Sequence, residues 1–366
     1  MGQLIGPLFG NGQDGEITIA SSITGNATRM TCSGNAGSLT LTVGDNTNFQ
    51  VGDLILIHKS RGITTTDCGI FETNRVAGKT GGTTINLGKP LDNSYQDSGS
   101  DQSQCVLIPE YRYYKLNTSI NVNPPAWDGD TGGIIAIAVS GKMQIDGNID
   151  ASLYGFRGGQ VSNGCRSGEG ALGDRNTQTS PYGNAAGGGV ASNNGGGGGG
   201  NGTSGTTGAY AGGSTAGLAD LTKAVFGGGG ATSGASEQNP GANGGTGGGL
   251  ILLFAKEIVV NGTVQSTGGN GGNSNQGDYS RGGGGAAGGS IKILTQKATL
   301  GTNKVIAYGG AGGIATGGNN GNINGYAGGD GRIRVEACSF SGSMTQPAAS
   351  VITGGLNFCG QLASMM

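Results

Sequence analysis

A chain that cleaves sugar bonds needs paired carboxylates, or clustered acids beside a metal or a base. The tightest acidic pair here is Asp128 with Asp130, followed by Asp146 with Asp150, while Glu110, Glu169, Glu237 and Glu257 stand alone. Asp128-Gly129-Asp130 has the composition of a turn rather than a site. A serine–histidine–aspartate arrangement has to use His58, the single histidine, which ends an apolar strand just before Lys59-Ser60-Arg61-Gly62. A strand-end histidine reads as a structural or rim residue.

The six cysteines, Cys32, Cys68, Cys105, Cys165, Cys338 and Cys359, include no C-x-x-C pair, so no zinc site is expected. Two readings of them stand. Either they form disulfides, with Cys68–Cys105 and Cys338–Cys359 the first pairings to test, or they are buried thiols acting as small apolar fillers. Gly-x-Gly-x-x-Gly matches follow from composition alone in so glycine-rich a chain. Gly328-Gly329-Asp330-Gly331 is similar to a calcium-binding turn, but Ile333 stands where the second aspartate belongs. No catalytic residue, no metal set and no cofactor is expected, and the chain reads as a non-enzyme.

What remains is display. Glycine-rich stretches carry Tyr154, Phe156, Arg157, Tyr182, Tyr210, Tyr279, Arg281 and Tyr326 in a background with little competing charge. Tyrosine among Gly, Ser and Asn is the composition of adaptable recognition loops, which bind by ring stacking and hydrogen bonds. The binding candidates are therefore Tyr154, Arg157, Tyr182, Tyr210, Tyr279, Arg281 and Tyr326; the competing reading has these side chains capping glycine layers. Trp127 likewise has two readings, a plug in the seam between modules or a platform for a sugar ring.

Glycine supplies 84 of 366 residues and charged residues only 11%, which excludes both an average globular domain and a charged disordered tail. A net charge of -2 offers no basic face, so nucleic acid is not an expected partner. The longest apolar run, Ile134 to Val139, is too short to enter a membrane as a span. The opening Met1 to Gly10 lacks the pattern of a secretory leader. It fits either removal of a leader or release without one, as from a virus particle freed by lysis.

The elements that must position these residues are strands. Glu16–Ala20, Leu39–Val43, Leu54–His58, Thr83–Leu87 and Cys105–Ile108 are β-rich runs between Gly, Asn and Asp turns, suited to a sandwich, a barrel or the first rungs of a β-helix. The stretch from Gly217 to Phe226 is the single helix candidate, and it is short. Later the chain repeats a unit of two glycines, an apolar strand, a polar gap and a second strand. Copies open at Gly248, Gly288 and Gly328, 40 residues apart, with an earlier relative at Gly132. Such a period implies units stacked on one another to bury a shared apolar face.

Between them Gly155 to Gly247 is nearly low in complexity. It reads either as a flexible linker or as extended polyproline-II-like segments packed backbone to backbone. The expected fold is all-β: an N-terminal β module over 1–122, a junction with the first repeat over 123–159, a glycine-rich region over 160–247, three repeats over 248–350 and a tail over 351–366. The repeats are expected to be β-helix-like, with packed polyglycine II segments.

Phe9-Gly10-Asn11-Gly12-Gln13-Asp14-Gly15-Glu16-Ile17-Thr18-Ile19, with the passages Gly132–Gly159 and Gly248–Asn273, resembles the glycine-rich fibre and adhesin proteins of tailed bacteriophages. Similar repeats occur in secreted bacterial surface proteins. The resemblance implies a virion-surface or extracellular, homo-oligomeric protein that binds a host glycan or outer-membrane protein. The alternative is a self-assembling filament or decoration subunit.

Overall fold

A computed structural model describes residues 9–62, 64, 67–161, 166–174, 194–207, 212–234, 241–275, 279–319, 321–344, 346–353 and 359. Every regular element named in it is a β-strand. After β1 (Glu16–Ile19) and β2 (Ile23–Thr24) come six strands that close into an antiparallel barrel in the order β3-β4-β7-β6-β5-β8. They are β3 (Arg29–Ser33), β4 (Thr40–Val43), β5 (Leu54–Arg61), β6 (Phe71–Thr80), β7 (Thr84–Leu87) and β8 (Gln102–Ile108). The pattern of β4 shows why: Leu41 and Val43 turn inward while Thr40 and Thr42 face out. Leu41, Phe49, Ile55, Ile57 and Ile85 fill the barrel.

The rest of the strands are parallel. The chain continues through β9 (Glu110–Tyr111), β10 (Tyr113–Leu116), β11 (Asn121–Asn123), β12 (Ile134–Ile145) and β13 (Asn148–Asp150). Then follow β14 (Leu250–Val260), β15 (Thr263–Gln265), β16 (Ser274–Asn275), β17 (Ser280–Arg281), β18 (Ser290–Thr302) and β19 (Val305–Ile306). The last are β20 (Ala315–Thr316), β21 (Asn322–Ile323), β22 (Arg332–Ser343) and β23 (Ser350–Thr353). One sheet runs β1-β10-β12-β14-β18-β22-β23, with β9 also on β12, and a second runs β19-β15-β13-β11-β2. The barrel is thus an excursion between two turns of this stack, since β1 and β2 already belong to it.

Ile135, Ile137, Val139, Leu253, Ile291 and Ile293 fill the space between the two sheets. Ile134, Ala136, Leu250, Leu252 and Phe254 cover the opposite face, with Trp127, Phe156 and Phe226. Burial on both faces accounts for the unbroken apolar runs, and each large aliphatic side chain so buried contributes roughly 1.5–3 kcal/mol.

The repeat departs from a fixed period. Leu250 pairs with Ser290, forty residues on, but Ser290 pairs with Arg332, forty-two on. Val264 pairs with Val305 and Ser280 with Asn322, so one extra residue enters near Gly301 and another between Thr316 and Asn322. The first falls at the irregular end of β18 and the second in the loop after β20, where Gly301, Gly317 and Gly321 take positive φ, and the ladders continue on either side.

The glycine segments of the described region are hydrogen-bonded in an orderly way. Gly227 and Gly230 donate to Gly248 and Gly245, Gly228 and Ala231 to Gly200 and Gly197, and Gly229 and Thr232 to Glu169 and Arg166. Three neighbours are served in rotation. The run from Gly282 repeats the scheme: Gly282 and Gly285 donate to Ile323 and Tyr326, Gly283 and Ala286 to Gly272 and Gly269, Gly284 and Ala287 to Ala231 and Gly228. A Cβ on Gly230 would fall on the carbonyl oxygen of Gly284, and one on Gly284 on that of Gly197. Glycine is required there because backbone packs directly on backbone.

Two expectations are corrected. Gly217–Phe226 forms turns, not a helix: Leu221 has φ of 51°, Lys223 bridges to Ile70, and Leu221, Ala224, Val225 and Phe226 are anchored in the core. Tertiary burial outweighs the short helical pattern. Cys68 and Cys105 are both free and buried, because Cys105 faces the barrel interior while Cys68 packs in the separate cluster around Phe226. Burial pushes the Cys68 thiol up to about 12, so it stays protonated. Cys338 and Cys359 are joined in a disulfide.

Candidate binding face

The acids that head any search for catalysis are engaged structurally. Asp128 Oδ1 accepts from the amides of Asp130 and Thr131, closing a turn. Asp146 accepts from Asn261 and Gln144, and Asp150 from Gln265 and the Ser152 amide. Glu110 receives a bidentate pair from Arg75, at 2.6 Å for each bond.

Glu169, fully buried, is shared by Arg61 at 2.7 Å and Arg157 at 2.9 Å, and Asp174 lies 2.7 Å from Arg157. This ion cluster fastens a glycine segment to the barrel strand β5. Sequence spacing could not find it, because Arg61 and Glu169 belong to distant parts of the chain; the one signal is that Lys59 and Arg61 prolong an apolar strand.

His58 is buried in the barrel wall rather than at a rim. Its Nε2 lies 2.8 Å from the Ala224 carbonyl and its Nδ1 2.9 Å from Ser60 Oγ. The carbonyl can only accept, so Nε2 carries the hydrogen and Nδ1 accepts from Ser60, whose oxygen in turn accepts from Gln104. Gln104 continues to Gly132, donating to its carbonyl and accepting from its amide. The chain of bonds stitches the barrel to the start of the stack. Burial lowers the His58 pKa to about 4, so the ring is neutral.

The candidate binding residues fall in several places. Arg157 is taken up by Glu169, Asp174 and the Asp128 carbonyl. Phe156 is fully buried against Trp127 and Phe226, at ring-centroid distances of 6.3 and 5.3 Å. Trp127 is thereby the seam plug. Tyr154 is half-buried beside a shallow groove of about 400 Å³ shared with Ser22, Ile23, Thr24, Asn123, Pro124, Pro125 and Ala126. Tyr326 lies along a glycine segment, its amide bonded to Gly196 and its carbonyl to Gly285. Tyr182 and Tyr210 lie outside the described residues.

Tyr279 and Arg281 are the two that come together. They lie where the glycine segments turn, in a small patch made of β16 on β20 and β17 on β21. Tyr279 is 45% exposed, and the Arg281 guanidinium carbon is 5.0 Å from its ring centroid. Asparagines fix the surrounding loops: Asn270 Oδ1 accepts from Ala311, Asn273 from Ile314, Asn324 from Ala315 and Asn322 from Gly318. Each Nδ2 amide then faces outward as a free donor. Ile314 is exposed beside them. An aromatic face, a cation and a row of amide donors can bind hydroxyl-rich or amphipathic surfaces.

No protein-family model matches the sequence, and no curated protein matches it. Among solved structures, one similar at 15% identity and a TM-score of 0.22 is the gp54 tailspike of Acinetobacter baumannii bacteriophage AP22, in complex with A. baumannii capsular saccharide. The match covers 93% of this chain and 62% of that one, so the chain spans less than two thirds of the tailspike's length. Among the described residues no three His, Cys, Asp or Glu side chains gather to hold a metal, and no helix is long and apolar enough to cross a membrane.

Proposed function

We propose that this chain is a non-enzymatic virion-surface protein, a phage fibre or receptor-binding adhesin, which recognises a host surface glycan or outer-membrane protein without chemistry. The observation that carries the reading is the patch at Tyr279 and Arg281: an exposed ring and unengaged amide donors held on a close-packed glycine frame. Rigid presentation lowers the entropy lost on binding. The frame itself is read as a β-helix-like stack whose glycine runs are packed polyglycine II segments, since three residues per turn would serve three neighbours in rotation. Module boundaries at 122/123, 159/160, 247/248 and 350/351 belong to the same proposal and predict cleavage near them in limited proteolysis.

A second reading has one observation of its own. Among the described residues the large parallel sheet ends at β23, which pairs on one side with β22 and whose Val351 and Ile352 are 37% and 43% exposed. Such an edge can pair with another copy, as a self-assembling filament or decoration subunit requires. Electron microscopy of the purified protein, alone and with envelopes of candidate bacterial hosts, separates the two. Discrete particles decorating envelopes support the adhesin; polymers or rings that ignore envelopes overturn it in favour of the structural subunit.

A further inference from the structure

Arg281 is 5% exposed, its Nε is fully enclosed, and among the described residues no atom accepts a hydrogen bond from its guanidinium. The other two arginines buried among the described residues are satisfied. Arg61 meets Glu169 at 2.7 Å, and Arg334 meets Glu336 at 3.1 Å. An enclosed Nε–H without an acceptor is costly, and proteins keep one chiefly where something else supplies the partner. The Tyr279 ring offsets part of that cost through its negative face.

The surroundings define what the partner is. Ser280 and Arg281 pair with Asn322 and Ile323, so Arg281 shares one face of the pair with Ile323 and, two residues back, Tyr279, while Asn322 and Asn324 stand on the other. An oxyanion on Arg281 and a ring on the open face of Tyr279 are contacts that a single acidic sugar residue makes. We propose that Arg281 and Tyr279 form a subsite for a saccharide unit bearing a carboxylate or other oxyanion. The proposal rests on the adhesin reading above and names the chemistry that reading leaves open.

The test is titration of the full chain with sodium glucuronate, glucose and inorganic phosphate at constant ionic strength, following the Arg281 Nε–H and Tyr279 ring signals by nuclear magnetic resonance. Saturable shifts of both signals with glucuronate and none with glucose are expected. Arg281→Met should weaken glucuronate binding about ten- to a hundredfold, the usual worth of a hydrogen bond to a charged group, and should leave the melting temperature unchanged or raised. Arg281→Lys should fall between. Phosphate moving Arg281 as strongly as glucuronate, with Tyr279 silent, would overturn the sugar assignment. No response of Arg281 to either anion would overturn the subsite altogether, even if the protein binds envelopes. A response to glucuronate from a protein that ignores every envelope would keep the subsite and sink the adhesin.

Discussion

Inside the barrel, Leu41, Phe49, Ile55 and Ile57 fill the space between strands, and the backbone hydrogen bonds lie around them. Between Gly227 and Thr232 the backbone itself fills the space, and its amides are shared among three neighbouring segments. The two regions use the same donors and acceptors but differ in what occupies the gaps. In the barrel, apolar area removed from water stabilises the fold. In the glycine layers, close backbone packing and complete pairing must offset the large entropy lost by each glycine. Tolerance to substitution should therefore run in opposite directions.

The sharpest way to break this comparison is to add carbon where backbone meets backbone. Gly284→Val should cost more than about 4 kcal/mol, because its Cβ falls on the Gly197 carbonyl and neither chain can move without losing its bonds. In the barrel turn at Gly82 a Cβ meets no atom within 4 Å, so Gly82→Ala should shift stability by no more than roughly 0.5–1 kcal/mol, in either direction. Thermal melts showing equal losses for the two would end the distinction.

Phe226→Ala tests the junction, where side-chain and backbone packing meet. Phe226 is fully buried, with ring centroids 5.4 Å from Trp127 and 5.3 Å from Phe156. A loss of about 3–5 kcal/mol in denaturant unfolding is expected, and a loss under 1 kcal/mol would mean that the layers stand without the aromatic seat.

A pH series probes the barrel side of the same junction. His58 is held at about 4, below its ordinary 6.5, so the unfolded chain takes up the proton first as pH falls. Its contribution is intact above about pH 6.5 and is lost progressively toward pH 4, by about 3 kcal/mol in all. In His58→Gln that part of the acid dependence should vanish, read as the difference between the two stability curves. Among the side-chain truncations the smallest effect is expected from Ile57→Val, about 1 kcal/mol, since the barrel loses one buried methylene.

Much of this architecture could be read in advance. The apolar runs at Ile134–Val139 and Leu250–Phe254 announced doubly buried strands, and the recurring glycine pairs announced stacking. The barrel was one of three options for the N-terminal strands, because alternation fixes a face but not closure. β6 went unseen: Phe71 to Thr80 mixes charge and glycine, and its place is set by pairing with β5 and β7. Phe156 and Arg157 looked like display residues because a glycine-rich stretch carries no register, so nothing local shows which side chains turn to the core. Arg281 and Tyr279 could be suspected from composition; that the cation lacks an acceptor follows only from the folded neighbourhood.

The central claim is that the glycine layers are a rigid frame and not a linker. Amide hydrogen exchange in residues 227–233 and 282–289, compared with barrel strand β5, tests it directly. Protection in those segments within about tenfold of β5, lost only on global unfolding, is the predicted result. Exchange complete in seconds at neutral pH, while β5 stays protected, would contradict it.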